Sequence, residues 1–87
     1  MATIEITQQN LTSTVEGNDI VFLDFWADWC GPCKQFSPVY EAASEKHSDI
    51  VFGKVDTEAQ GQLAQAAGIT SIPTIMGFRG GILVYQQ

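Results

Sequence analysis

Residues 19–36 read DIVFLDFWADWCGPCKQF, and this stretch decides the fold. The segment 19–27 is almost continuously apolar and rich in strand-forming residues, which predicts a strand covered on both faces, as in the middle of a parallel sheet. A helix is predicted to follow over 30–47, with its apolar positions on one face. The only two cysteines of the chain, Cys30 and Cys33, therefore lie where a buried strand leads into a helix.

The rest of the chain alternates strands and helices around that unit. Further strands are predicted at 3–7, 49–56, 73–78 and 81–86, and further helices at 8–18 and 57–68. The order β-α-β-α-β-α-β-β implies parallel pairing with right-handed crossovers, and a closing hairpin at Gly80-Gly81 adds antiparallel strands. We therefore predict an α/β fold with a mixed sheet and a single domain over residues 1–87.

Composition and charge exclude several classes of protein. The net charge is −6, from ten acidic and four basic residues, and a chain of this charge without a basic stripe would be repelled by nucleic acid. No apolar run approaches the ~20 residues of a membrane span. The first ten residues lack the pattern of a signal peptide, so we expect a cytoplasmic protein without a membrane partner, although a mature chain that had lost its signal would read the same.

The cysteine pair could hold a metal, act as a structural crosslink or carry out redox chemistry. A structural zinc site needs four ligands, and the one histidine, His47, lies roughly 20 Å from Cys33 along the predicted helix. An iron–sulfur cluster would require thiolates from a second chain. A structural disulfide between Cys30 and Cys33 would close a very short loop, which gives the least stabilisation. We therefore expect no metal site.

Redox chemistry fits the position of the pair best. A helix N-terminus presents free N–H groups and a partial positive charge, and both favour a thiolate at Cys30. Cys33 lies one turn further in and is expected to be more sheltered, so that Cys30 attacks a substrate disulfide and Cys33 resolves the mixed disulfide. Gly31 would permit close approach of a substrate backbone, and Pro32 is tolerated in a first helical turn.

Three segments together resemble a thioredoxin: FLDFWADWCGPCK (22–34), KVD (54–56) and GITSIPT (68–74), in this order and at similar spacing. The resemblance runs from about residue 3 to residue 87 and implies the thioredoxin fold. It also implies that Pro73 is a cis proline facing the cysteines. By the same resemblance Ile72 would offer its backbone to an extended substrate and Trp29 would form one wall of the substrate groove.

Asp24 is the only charged residue in the run IVFLDFW (20–26). A buried carboxylate is costly, so it should have a raised pKa or a partner. One interpretation is a strand-end residue hydrogen-bonded to the backbone; the other is an acid/base group that accepts the Cys33 proton. The resemblance favours the second interpretation, and it makes Lys54 on the neighbouring strand the partner of Asp24.

The chain departs from the family after GILVYQQ (81–87). A thioredoxin continues with a loop that completes the substrate groove and a last helix, so we expect that C-terminal helix to be absent and part of one sheet face to be uncovered. Three explanations are open: the sequence is truncated or incomplete, another chain covers the face in an oligomer or a domain swap, or the protein is naturally short. We expect an isolated monomer of this sequence to have poor stability.

The resemblance implies a thiol-disulfide oxidoreductase that reduces disulfide-containing proteins. The chain has no glycine-rich nucleotide loop such as GxGxxG, so it would carry no cofactor. A separate thioredoxin reductase, with flavin and NADPH, would recycle it. Two alternatives are a non-catalytic interaction module that uses the groove of the same fold, and an oxidase or isomerase.

Overall fold

The computed structural model describes residues 2–87, in which a five-stranded mixed sheet carries three helices. The strands are β1 (Thr3–Glu5), β2 (Ile20–Trp26), β3 (Val51–Asp56), β4 (Thr74–Arg79) and β5 (Ile82–Gln86), and the helices are α1 (Leu11–Gly17), α2 (Gly31–Lys46) and α3 (Gly61–Ala66). The strand order is β1-β3-β2-β4-β5. β3 is parallel to β1 and β2, whereas β4 is antiparallel to β2 and β5. The predicted order of elements and the mixed sheet are confirmed.

β2 lies at the centre of the sheet, and its alternating side chains separate the main core from the candidate site. Val21, Leu23 and Phe25 point to one face and are almost fully buried, as a strand period of two requires. They belong to a core cluster completed by Ile6, Val15, Val55, Leu63 and Met76. Asp24 therefore lies on the opposite face, next to Lys54 of β3 in the parallel register.

α3 begins later than predicted because side chains organise the preceding turn. Asp56 Oδ1 accepts the backbone N–H groups of Glu58 and Ala59 at 2.9 and 3.3 Å, which forms an Asx turn. Thr57, the first residue of the predicted helix, donates its hydroxyl to the carbonyl of Trp26 at 3.0 Å. The predicted helix start at residue 57 is therefore wrong, and the helix begins at Gly61.

The predicted hairpin between β4 and β5 is confirmed. Gly80 and Gly81 have φ values of +59° and +82°, the left-handed conformation that glycine adopts without strain and that a tight two-residue hairpin turn needs. Every residue of β5 is exposed. Side chains of β2, β4 and β5 line an apolar hollow of about 460 Å³ on the sheet; they include Ile20, Phe22, Phe78, Val84 and Tyr85. None of the helices within residues 2–87 is both long and apolar enough to cross a membrane.

Gly53 of β3 leaves no room for a side chain. A Cβ there would lie 2.6 Å from Ile6 Cγ1 and 3.0 Å from Leu23 Cδ2, and both of those side chains are buried in the core. We expect Gly53→Ala to lower the free energy of unfolding by about 1–3 kcal/mol, because close-packed neighbours must shift. Urea unfolding monitored by circular dichroism measures this loss.

Gly61→Ala is the matched control. Nothing lies within 4 Å of a Cβ at Gly61, which is the first residue of α3. Alanine favours a helix over glycine, so the free energy of unfolding should stay unchanged or rise by up to about 1 kcal/mol. Equal losses in the two variants would contradict the role of core crowding at Gly53.

Candidate active site

The two cysteines form a disulfide at the start of α2. Cys30 is the N-cap residue, and its Cα lies 5.2 Å from the Cα of Cys33. The backbone N–H of Cys33 donates to Cys30 Sγ at 3.2 Å, so the sulfur takes the place of a capping side-chain oxygen. After reduction, this N–H and the positive end of the helix would favour a thiolate at Cys30.

Burial does not distinguish the two cysteines. Each is 4% exposed, so the expected greater shelter of Cys33 is not found in the disulfide form. Ala27, Trp26 and Ile72 pack against the pair and cover both residues. Their surroundings differ instead: Cys30 Sγ lies 3.8 Å from the carbonyl oxygen of Ile72, whereas Cys33 lines a separate cleft.

The segment before β4 brings its backbone to the disulfide. The peptide bond between Ile72 and Pro73 is cis, as the resemblance implies. The contact of the Ile72 carbonyl with Cys30 places this bend directly beside the reactive sulfur. Gly31 and Pro32 are exposed in the first turn of α2, and nothing lies within 4 Å of a Cβ built on Gly31. The surface beside Cys30 is therefore open at this turn.

Trp29 is 69% exposed and forms one side of a groove beside the disulfide. The groove has a volume of about 310 Å³, and its lining includes Ile69, Ser71 and Ile72. The indole Nε1 donates to Glu58 Oε2 at 3.0 Å, which ties Trp29 to the turn after β3. Sequence reasoning missed this role of Glu58, because no local pattern joins two residues that are 29 positions apart.

Asp24 is a buried carboxylate that has no direct ionic partner among residues 2–87. It is 2% exposed, and its Oδ1 has no hydrogen-bond partner. It lies inside β2, so the interpretation as a strand-end residue bonded to backbone is not supported. Burial raises the pKa of Asp24 to about 6, although the positive charge of Lys54 opposes the rise.

Tyr40 of α2 is another buried side chain with a polar group. Its hydroxyl donates to the Gly53 carbonyl at 2.8 Å and so links the helix to β3. Burial raises the pKa of Tyr40, and the nearby Asp24 and Glu41 carboxylates add to the rise. Tyr40 therefore stays protonated and keeps this hydrogen bond at neutral pH.

Lys54 lies next to Asp24 in the sheet, but its ammonium group is held by the helix. Lys54 Nζ donates to Ser37 Oγ at 3.0 Å and lies 5.1 Å from the centre of the Trp26 ring system. Sequence reasoning missed Ser37; its spacing of four residues from Cys33, which puts both on one helix face, is the signal that could have identified it.

The structure thus brings the predicted residues into two neighbouring groups. Trp29 and Ile72 line one groove, Gly31 and Pro32 follow Cys30 in the first turn of α2, and Pro73 is joined to Ile72 by the cis bond. Asp24 and Lys54 lie side by side on the sheet face under α2. Among residues 2–87, no three His, Cys, Asp or Glu side chains are grouped in a way that would hold a metal ion.

The chain matches the family model described as Thioredoxin over residues 2–86. It is 59% identical over 86 residues to "Putative thioredoxin 2" of Streptomyces coelicolor, a match that covers 99% of this chain but 64% of the relative. It is 38% identical over 86 residues to a thioredoxin of Alicyclobacillus acidocaldarius, with coverage of 98% and 82%. The chain thus spans less than two thirds of the first of these relatives.

Solved structures agree with these matches. The thioredoxin of Plasmodium falciparum superposes with a TM-score of 0.91 at 35% identity and covers 98% of this chain and 83% of its own. The thioredoxin of Malassezia sympodialis gives a TM-score of 0.90 at 34% identity, with coverage of 100% and 80%. The fold therefore has counterparts among solved thioredoxins.

Proposed function

Because this chain belongs to the thioredoxin family, we propose that it is a protein-disulfide reductase whose residues 1–87 act as one domain. The observation that carries the proposal is the Cys30–Cys33 disulfide, in which Cys30 Sγ accepts the N–H of Cys33 at the start of α2. This arrangement stabilises the thiolate form of one sulfur and keeps the second within bonding distance.

The reaction transfers two electrons from the dithiol to the substrate. The Cys30 thiolate attacks one sulfur of a protein disulfide, that S–S bond breaks, and the other substrate sulfur leaves as a thiolate that takes up a proton. The Cys33 thiol then passes its proton to Asp24 and attacks Cys30 Sγ. The mixed disulfide breaks, the second substrate thiolate leaves, and the Cys30–Cys33 disulfide is formed.

Asp24 and Lys54 serve the second step. A proton acceptor works best when its pKa lies near the working pH, and the pKa of Asp24, about 6, meets that condition. Lys54 is the positive charge that opposes a further rise, so it keeps part of the Asp24 population ionised at neutral pH. Both residues act on the proton and not on the sulfur atoms themselves.

The residues around Cys30 bind the substrate. Ile72, which precedes the cis Pro73, offers its backbone to an extended peptide beside the reactive sulfur. Trp29 forms the opposite wall, and Gly31 and Pro32 leave the approach open. The substrates we propose are proteins with an accessible disulfide, whose extended backbone would lie along the groove between Trp29 and Ile72.

The proposal includes the electron donor and the location. Reduction of the Cys30–Cys33 disulfide would come from a separate thioredoxin reductase that carries flavin and NADPH, so this chain would work in electron transport without its own cofactor. The two cysteines of the chain form one cycling pair, which fits the reducing cytoplasm, where protein disulfides are mostly transient and catalytic.

A coupled assay tests the proposal. Thioredoxin reductase, NADPH and a disulfide-containing protein such as insulin are mixed with the purified chain, and NADPH oxidation is followed. Turnover that requires both this chain and the protein disulfide supports the reductase function. Absence of turnover by folded protein would favour a binding module, and a reduction potential near about −120 mV, instead of about −270 mV, would favour an oxidase.

A further inference from the structure

Ser37 lies one turn after Cys33 on α2 and faces the same cleft. The cleft has a volume of about 90 Å³, and Cys33, Ser37, Lys54 and Trp26 are among the residues that line it. Residues four apart on a helix are neighbours, so the Ser37 hydroxyl and the Cys33 sulfur are on one side of α2. Ser37 is therefore next to the resolving cysteine, yet the proposed mechanism gives it no role.

The hydrogen bond to Ser37 holds the Lys54 ammonium group in one position, although this group could also extend into water. Lysine has a long flexible stem and a strongly hydrated ammonium group, which favours exposure to water. In this chain Lys54 Nζ instead donates to Ser37 Oγ at 3.0 Å and lies over Trp26, with its ammonium 5.1 Å from the ring centre. Within residues 2–87 the buried Asp24 Oδ1 has no hydrogen-bond partner, so this oxygen does not hold the ammonium.

We propose that Ser37 is a positioning residue for the resolving step: its hydroxyl oxygen holds the Lys54 ammonium inside the cleft and so keeps a positive charge near Asp24. This inference rests on the proposed reductase function for its biological meaning, but the positioning itself is a property of the folded chain. Ser37 acts through Lys54 and does not touch the reacting sulfur atoms in this role.

Among the groups that face Asp24, Lys54 is the charge that lowers its pKa. Lys54 faces it from β3, and Tyr40, a neutral phenol at neutral pH, faces it from α2. The neighbour of Asp24 in β4 is the apolar Ile75. The remaining charged residues near the ammonium line the two clefts beside Lys54; they are Asp28, Lys34, Glu5, Glu41 and Asp56.

Loss of the Ser37 hydroxyl should release Lys54 toward water. The positive charge then moves away from Asp24, and its carboxylate form becomes less favourable. We expect Ser37→Ala to raise the titration midpoint of Asp24 by about 0.5–1 pH unit, which is about a three- to tenfold change in proton affinity. Alanine favours a helix more than serine does, so α2 should be retained.

The experiment is an NMR titration of the oxidised protein with ¹³C-labelled aspartate carboxyl groups, in which Asp24→Asn identifies the Asp24 signal. Ser37→Thr, which keeps the hydroxyl, should leave the midpoint unchanged, and Lys54→Met should raise it more than Ser37→Ala does. In the Lys54→Met background, Ser37→Ala should cause no further shift, because the charge it positions is gone.

Two results would overturn the inference. One is an unchanged Asp24 midpoint in Ser37→Ala, and the other is the same upward shift of that midpoint in the Lys54→Met background, which would indicate a general structural effect. The titration needs no catalytic activity, so it is separate from the test of the reductase function. If the coupled assay fails but the midpoint moves as expected, the positioning stands and the reductase proposal falls.

Discussion

Cys30→Ser is expected to abolish the reduction of protein disulfides, with a loss of at least about 10³-fold in turnover. A serine hydroxyl is hardly ionised at neutral pH, whereas the sulfur of Cys30 accepts the N–H of Cys33 at a helix N-terminus that favours its thiolate. The coupled NADPH assay measures the loss. Turnover within tenfold of the unmodified chain would contradict the assignment of Cys30 as nucleophile.

Cys33→Ser should also lose turnover, but at a later step than Cys30→Ser. This difference distinguishes the roles of the two sulfurs. Cys30 can still attack, but no thiol follows to break the mixed disulfide, so substrate should remain covalently attached. Non-reducing electrophoresis and mass spectrometry would detect that adduct. The control is the double variant Cys30→Ser/Cys33→Ser, which should capture nothing; an equal yield of adduct from Cys30→Ser alone would contradict the assigned order of attack.

Asp24→Asn is expected to slow the resolving step by about 10²-fold at pH 7, because an amide cannot accept the Cys33 proton. Stopped-flow measurement of substrate release from the mixed disulfide would detect this. The chemical step of Cys30 attack should change far less. Resolution as fast as in the unmodified chain across pH 6–9 would show that another base, or water, takes the proton.

The same substitution should make the folded protein more stable at neutral pH. The pKa of Asp24 is raised from 3.8 to about 6, so between these values the folded state binds more protons than the unfolded state, and stability falls as the pH rises through 6. At 1.36 kcal/mol per pH unit the loss is about 3 kcal/mol, and asparagine, which does not ionise, removes it. Urea unfolding at pH 4, 5.5 and 7 measures the difference.

A surface aspartate provides the control for that measurement. Asp49 is exposed just before β3, and Asp49→Asn should change the free energy of unfolding by less than about 0.5 kcal/mol at each pH. The stabilisation of Asp24→Asn should appear at pH 7 and vanish at pH 4. A gain that is the same at all three values would assign the effect to packing instead of to the buried charge.

The strand and helix order could be predicted because it depends on apolar periodicity. The continuous apolar run of β2 marked the central strand, whereas the pairing of Asp24 with Lys54 came from the resemblance. The cis bond at Pro73 came from the resemblance alone. Each of these features repeats a pattern that is local in the sequence or shared with relatives.

The features that the sequence did not predict depend on contacts between residues that are distant in the chain. The predicted start of α3 was wrong because the Asp56 side chain and the Trp26 carbonyl hold residues 57–60 in a separate turn, and the helix begins at Gly61. The hydrogen bond from Trp29 to Glu58 joins residues that are 29 positions apart, and the one from Lys54 to Ser37 spans 17 positions. Only the fold brings these side chains together. The equal burial of the cysteines likewise follows from residues 26, 27 and 72, which pack around both.

The spacing of the two cysteines also bears on oxidative damage. Peroxide converts a thiolate to a sulfenic acid, and a second equivalent carries it to a sulfinic acid that most cells cannot repair. With Cα atoms 5.2 Å apart, the Cys33 thiol can condense with a sulfenic acid at Cys30, releasing water and forming the disulfide before the second oxidation. An oxidant would therefore drive the pair into a form that thiols can reduce again, and the short spacing would protect Cys30 from irreversible oxidation.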